Sequence, residues 1–179
     1  MAKRFSVFLV ALAPYAAFAA PAYDPVTMVG LGPVTLGMSV AEAEAALGGT
    51  LENPYDSGTD DEFCVYLRPT SADWPGVSYM VIEEAIARID IYRDFETDSP
   101  SPFADEMGFG IGSAEADIIA AYGARLETGP HPYNDDLGKY LTLRSEDGSR
   151  TILFETDRGT VTTFRTGRYP EVGYVEGCS

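Results

Sequence analysis

A single imidazole is present for acid–base work: His131, set in Gly129-Pro130-His131-Pro132-Tyr133. One histidine can serve as a general base. No neighbouring Ser or Cys is poised as the nucleophile it would activate, and the flanking prolines stiffen the loop. Packing of a loop is the better reading. Carboxylates gather at Asp56-Ser57-Gly58-Thr59-Asp60-Asp61-Glu62 and at Asn134-Asp135-Asp136. Such runs can offer oxygens to calcium, but neither has the ligand spacing and terminal bidentate Glu of a calcium-binding loop. Solvated acidic loops are expected, with calcium at 56–62 left open. There is no Gly-rich phosphate loop, no GxSxG, no HExxH and no paired-Cys zinc pattern. The chain reads as non-enzymatic, with no cofactor and no metal. A hydrolase without these signatures is the weakest reading.

Cys64 and Cys178 are the only cysteines. In an oxidising compartment a lone pair of this kind is a disulfide, and only His131 could join them around a metal. The bridge would pin a C-terminus that otherwise frays.

The remaining chemistry lies in strand parity. In Ala85–Arg93, Ala87, Ile89 and Ile91 alternate with Arg88, Asp90 and Tyr92. Phe164 alternates with Thr163 and Arg165. Tyr66 and Arg68 alternate with Val65 and Leu67, and Tyr140 and Arg144 with Leu141 and Leu143. With helices over the apolar side, the other side would display Tyr66, Arg68, Arg88, Asp90, Tyr92, Tyr140, Arg144 and Arg165, residue types common in protein-binding hot spots. Arg88, Asp90, Tyr92 and Arg165 are expected to be exposed there, and Ile89, Ile91 and Phe164 buried. Trp74, in a Trp-Pro-Gly turn, reads as a packed loop aromatic.

The elements that carry these residues come in two series. GMSVAEAEAALGGTLE at 37–52 matches GSAEADIIAAYGARLE at 112–127 at a constant shift of 75, with Gly37/Gly112, Ala41/Ala116, Gly48/Gly123 and Leu51/Leu126 among the identities. Ser39 caps the first helix with Glu42 as its box partner. Val40, Ala43 and Leu47 share a face, and Gly48-Gly49 ends the helix. In the second, Ser113 caps, Ile118, Ala121 and Tyr122 face inward, and Gly123 terminates. Alternating runs follow each helix: Phe63–Arg68, Val77–Ile82 and Ala85–Arg93, then Lys139–Arg144, Arg150–Thr156, Thr160–Arg165 and Gly173–Cys178. Glu83-Glu84, Asp147-Gly148 and Arg158-Gly159 occupy hairpin turns. Residues 94–104 and 128–135 read as loops. The pattern predicts an α+β fold: two tandem copies of short helix plus small antiparallel sheet, at 20–94 and 95–179, with the helices on one face.

Leu36-Gly37-Met38-Ser39-Val40-Ala41-Glu42, closing in Leu47-Gly48, resembles the opening motif of the β-lactamase-inhibitor-protein-like fold, found also in the small lipoprotein of the outer-membrane β-barrel assembly machine. The resemblance covers residues 33–52 and 108–127. Copy two departs from it, with Ser113 in place of Met38 and Tyr122 in place of Leu47. It implies one or two copies of a helix-loop-helix followed by an antiparallel sheet, and a protein that inhibits an enzyme. The motif builds helix ends, so no site residue carries over.

The length of 179 residues gives one ordinary domain or two very small ones. Residues 1–19 have the parts of a secretory signal: Lys3 and Arg4, an apolar run from Phe5 to Phe18, and Ala17-Phe18-Ala19 for cleavage, with a cut after Ala22 as the alternative. Cleavage after Ala19 leaves ten basic residues against 28 acidic ones, a net charge of −18. That balance excludes a general nucleic-acid binder. No second apolar segment is present, so no membrane span is expected after cleavage. The expected protein is a periplasmic or secreted protein-binding module whose open sheet face meets another envelope or secreted protein. The alternative is an inhibitor of a secreted or periplasmic hydrolase that uses an acidic loop such as 56–62.

Overall fold

Alternation of apolar and polar residues builds the central element of the fold, one antiparallel sheet. The computed structural model describes residues 23–54, 63–134 and 136–178. The predicted leader, the acidic segment 56–62 and Asp135 lie outside the described residues. A small antiparallel sheet of β1 (Val26–Thr27), β2 (Gly30–Leu31) and β3 (Val34–Thr35) comes first. Helix α1 (Val40–Leu47) leads into β4 (Leu51–Glu52), β5 (Cys64–Pro69), β6 (Val77–Ile82) and β7 (Ala85–Ile91). Helix α2 (Glu115–Tyr122) leads into β8 (Leu126–Pro130), β9 (Gly138–Arg144), β10 (Arg150–Asp157) and β11 (Thr160–Arg168). The last eight strands form one sheet in the order β4-β5-β6-β7-β11-β10-β9-β8. The protein is therefore α+β with antiparallel sheets. The two strand series join at β7 and β11, where Ile91 lies opposite Phe164 and Asp90 opposite Arg165.

Local chemistry explains each helix start. Gly37 and Gly112 both take φ +91°, a conformation that favours glycine. Each then donates its N–H to the last strand of its series, Gly37 to Ile86 O at 2.8 Å and Gly112 to Val161 O at 2.9 Å. Ser39 and Glu42 form the expected capping box. The second helix differs from expectation. Ala114 occupies its N-cap and makes no side-chain cap bond, while the Ser113 hydroxyl accepts from the Gly110 N–H at 3.0 Å. Ala121 is exposed rather than inward, whereas Ile118 and Tyr122 are buried. The Glu83-Glu84 and Arg158-Gly159 turns have positive φ at both residues, as tight hairpins require.

A bulge in each central hairpin resets the parity. Val81 pairs with Ile86 but Met80 with Arg88, which leaves Ala87 as the additional residue. Ala87 therefore leaves the expected apolar face and joins Met80 and Ile82 in a small cluster, with Cys64, Tyr66 and Cys178 packed against it. The main core takes Tyr79, Ile89, Ile91, Phe154 and Phe164 from the sheet, Ala43 from α1, and Ile118 and Tyr122 from α2. Trp74 stacks on Phe103, with ring centroids 5.6 Å apart, as a packed loop aromatic.

Two segments read otherwise in sequence. Thr128–Pro130 is not loop but part of edge strand β8, where a proline is tolerated because its missing N–H faces no partner. Gly173–Cys178 is not a strand. A 3₁₀ turn at Glu171–Gly173 sends the chain back across the sheet as an irregular strap. Among the described residues, no helix is long and apolar enough to cross a membrane.

Candidate functional site

The strap decides the character of the polar sheet face. Cys178 is bonded to Cys64 of β5, so the end of the chain is fixed across strands β5 to β11. Arg88 Nη1 donates to Glu171 O at 3.1 Å and to Tyr174 O at 2.8 Å, and Arg165 Nε donates to Val172 O at 2.7 Å. Gly167 leaves room for this cover: a Cβ there would stand 3.1 Å from both Val172 Cβ and Arg88 Cγ. Arg88, Asp90 and Arg165 are consequently 2%, 0% and 5% exposed. The expectation that they are exposed is overturned, because parity sets which way a side chain points but not what later folds over it. Ile89, Ile91 and Phe164 are buried as expected.

The buried charges are paired. Arg88 Nε donates to Asp90 Oδ2 at 2.9 Å, and its Nη2 donates to the Tyr66 hydroxyl. Arg165 Nη1 donates to Glu155, and Nη2 to the Tyr140 hydroxyl at 3.4 Å. Burial pushes the Asp90 carboxyl up, against the pull of Arg88 and Arg165. Its Oδ1 has no hydrogen-bond partner among the described residues, which fits that direction. Burial works to lower Arg165, but the Glu155 and Asp90 carboxylates outweigh it and raise the group. Burial also raises the Tyr92 and Tyr140 hydroxyls.

Between this network and the strap lies a groove of about 500 Å³, walled by Tyr66, Arg68, Ser78, Tyr92, Phe95 and Val175. Arg88 and Arg165 also contribute to its lining, with their hydrogen bonds directed to internal acceptors. The Arg68 guanidinium lies 3.5 Å above the Phe95 ring, a cation–π stack, and Phe95 is 44% exposed. Tyr92 is half-buried 5.8 Å from the same ring.

Of the residues singled out in sequence, Tyr66, Arg68, Arg88, Tyr92 and Arg165 meet at the groove, and Asp90 lies buried among them. Tyr140 stands behind Arg165. Arg144 does not join: it is exposed, 3.2 Å from Glu127 and 5.6 Å from the Tyr169 ring. Sequence reasoning missed Phe95, Glu155 and the strap. Glu155 was within reach, since it lies opposite Tyr140 in a strand already identified.

His131 is a packed residue. Nδ1 accepts the Tyr133 N–H at 3.2 Å, Nε2 faces Glu155 Oε2 at 3.3 Å, and Tyr140 packs edge-on against the ring. Both ring nitrogens are thus engaged in contacts with the loop and with β10. Among the described residues, no group of three or more His, Cys, Asp or Glu is placed to hold a metal ion.

No family model and no curated protein matches the chain. A solved structure of an extracellular protein containing a SCP domain, from Bacillus anthracis str. Ames, is similar at a TM-score of 0.46 and 9% identity, over 89% of this chain and 50% of that one. The chain spans about half the length of that protein. So distant a likeness does not bear on function.

Proposed function

We propose that the protein is an exported, non-enzymatic binding module that grips a segment of another envelope or secreted protein in the groove between the polar sheet face and the C-terminal strap. The observation that carries this reading is the groove's rim, where exposed Phe95, half-buried Tyr92 and stacked Arg68 present the residue types that dominate protein-binding hot spots. The engagement of both His131 nitrogens supports a non-enzymatic role. The leader-like N-terminus and the Cys64–Cys178 disulfide support export.

We also read the chain as two copies of one unit with the helices on one side. The support is the recurrence of elements at the shift of 75: β7 and β11 begin at Ala85 and Thr160, and the bulges fall after Met80 and Glu155. The resemblance to the β-lactamase-inhibitor-like fold is retained as a proposal on the same grounds, although among the described residues each copy has one α-helix rather than a helix-loop-helix.

The test is capture of envelope proteins by the mature chain. Phe95→Ala should abolish capture with the melting temperature unchanged, while Tyr133→Ala, at another exposed aromatic, should leave capture intact. Equal capture by both variants would remove the groove from the function. If the captured protein is a hydrolase and loses activity, the inhibitor reading replaces the general one.

A further inference from the structure

We propose that the segment held in the groove is an extended, proline-rich stretch with a cationic residue at one end, and that its Lys or Arg seats in a second cavity beyond the Arg68–Phe95 stack. The inference rests on reading the groove as the binding site and adds the chemistry of its occupant.

The second cavity has a volume of about 330 Å³. Arg68 and Phe95 line both it and the groove, so the stacked pair stands at their common boundary. Three separate parts of the chain build the rest of its wall. The connection from β5 to β6 supplies Trp74, which is half-buried and held by its stack on Phe103. Strand β4 supplies Glu52, and the loop after β7 supplies Asp94 and Glu96.

The backbone under the groove restricts what can bind. Ser78, Arg88 and Thr163 reach it from β6, β7 and β11, and each of these strands is hydrogen-bonded to a neighbour on both sides. A guest therefore cannot add to them as a further strand and must be read by side chains. The side chains on offer are rings: Tyr66, Tyr92 and Phe95 in the groove, then Trp74 beyond it. Aromatic-lined grooves suit a polyproline II segment, which has no internal hydrogen bonds to lose and is already extended before it binds.

Charge decides what stands at the end of that segment. In the groove, Arg88 and Arg165 are balanced by Asp90 and Glu155. In the second cavity Glu52, Asp94 and Glu96 share the wall with one guanidinium, that of Arg68. Asp94 is fixed there by its own loop: Oδ1 accepts from Thr97 Oγ1 at 2.6 Å, Thr97 N at 2.7 Å and Glu96 N at 3.2 Å. The Thr97 bonds hold its carboxyl low and so keep it ionised. The excess negative charge favours a cation, and an acidic segment would be repelled by the cavity and by a chain of net charge −16. The rings supply the contact area, and the carboxylates select which residue enters last.

Trp74 is the only tryptophan, so its fluorescence reports directly on the second cavity. The mature chain is titrated with the blocked peptides PPAPPR and RPPAPP, which cover both chain directions, and with PPAPPE, EPPAPP and GSAGSR. One of the two Arg–Pro peptides should shift the Trp74 emission saturably, and the other three should bind at least about tenfold more weakly. Glu52→Gln/Glu96→Gln, at two exposed positions, should weaken the Arg–Pro peptide by up to about tenfold and flatten its salt dependence. Phe95→Ala should abolish the response, with near-ultraviolet circular dichroism unchanged. Equal affinity for the Glu peptides would overturn the cation, and equal affinity for GSAGSR would overturn the proline-rich segment. Absence of any peptide response, while capture of envelope proteins still depends on Phe95, would overturn the inference and leave the groove reading standing. Capture that does not depend on Phe95 would remove both.

Discussion

On one face of the eight-stranded sheet, Ile89, Phe154 and Phe164 are fully buried by close-packed apolar side chains. On the other, Arg88, Asp90 and Arg165 are buried nearly as deeply, under a strap that offers carbonyl groups to the guanidiniums. Apolar burial is non-directional and tolerates repacking. Guanidinium–carbonyl bonds are directional, so the polar face fixes the strap in one position and with it the shape of the groove. The first face supplies stability in bulk; the second supplies a defined surface, and its charges make it costly to break.

The sharpest way to break the comparison is Arg88→Ala. It leaves Asp90 buried without its partner, and removing one member of a buried pair costs about 3–5 kcal/mol. Phe154→Ala on the apolar face should cost a similar amount, about 3–5 kcal/mol. Urea unfolding of both variants checks this; a neutral Arg88→Ala would mean that the polar face adds nothing to the fold.

Loss of the disulfide comes next. A bridge closing a separation of 114 residues should destabilise the chain by about 2–5 kcal/mol when reduced, seen as a lower urea midpoint with dithiothreitol. The core face should be left folded, which near-ultraviolet circular dichroism would report.

The pH dependence separates the hydrogen-bonded carboxylates Asp147, Asp94, Glu42 and Glu115 from the buried Asp90 by sign. Bonds from Ser145 and Ser149 hold the Asp147 carboxyl down at about 2, and Thr97 and Ser39 lower Asp94 and Glu42. For Glu115, burial acts upward, but its bonds to Lys139 and Thr156 outweigh it and lower the group. A carboxyl held down in the folded state stabilises above its unfolded pKa, and that stability is lost as pH falls through the folded value. Stability should therefore decline from the ordinary values of 4.5 for Glu and 3.8 for Asp down to about 2. Asp90 has the opposite sign. Its folded pKa lies above 3.8, so the fold holds a proton that the unfolded chain has lost, and acidification through that interval stabilises it. Thermal melts across this range should show a steeper acid loss for Asp90→Asn than for the natural chain. A shallower loss would mean that Arg88 and Arg165 win at Asp90.

The smallest effect is at the rim. Tyr92→Phe removes only a hydroxyl from a half-buried ring, and its melting temperature should correspond to a change within about 0.5 kcal/mol. A large loss there would move Tyr92 from groove wall to core.

Much of the apolar face was legible in the sequence. Ile89 and Ile91 alternate with charged neighbours, Ser39 and Glu42 announce a helix start, and Gly37 and Gly112 recur at the same shift as the strands they bind. The second helix cap was misread because Ser113, the residue that looks like a cap, lies one position before the true N-cap and turns to Gly110 instead. Ala87 was misplaced because a bulge leaves no trace in simple alternation. The strap was illegible for a deeper reason: Gly173–Cys178 alternates like a strand, and the strap's real partners, Arg88 and Arg165, bind the backbone carbonyls of Glu171, Val172 and Tyr174, groups that every sequence has. Side-chain chemistry marks where a strand's polar face is, and says nothing about which backbone will come to lie on it.

The ends of the sheet carry a consequence of their own. At one edge β4 is only two residues long; at the other β8 closes in Gly129-Pro130. A short edge offers few unpaired N–H and C=O groups to a second chain, and a proline edge lacks a donor. With the β8 margin of the eight-stranded array blunted in this way, copies of the protein should resist edge-to-edge pairing on that side at high concentration.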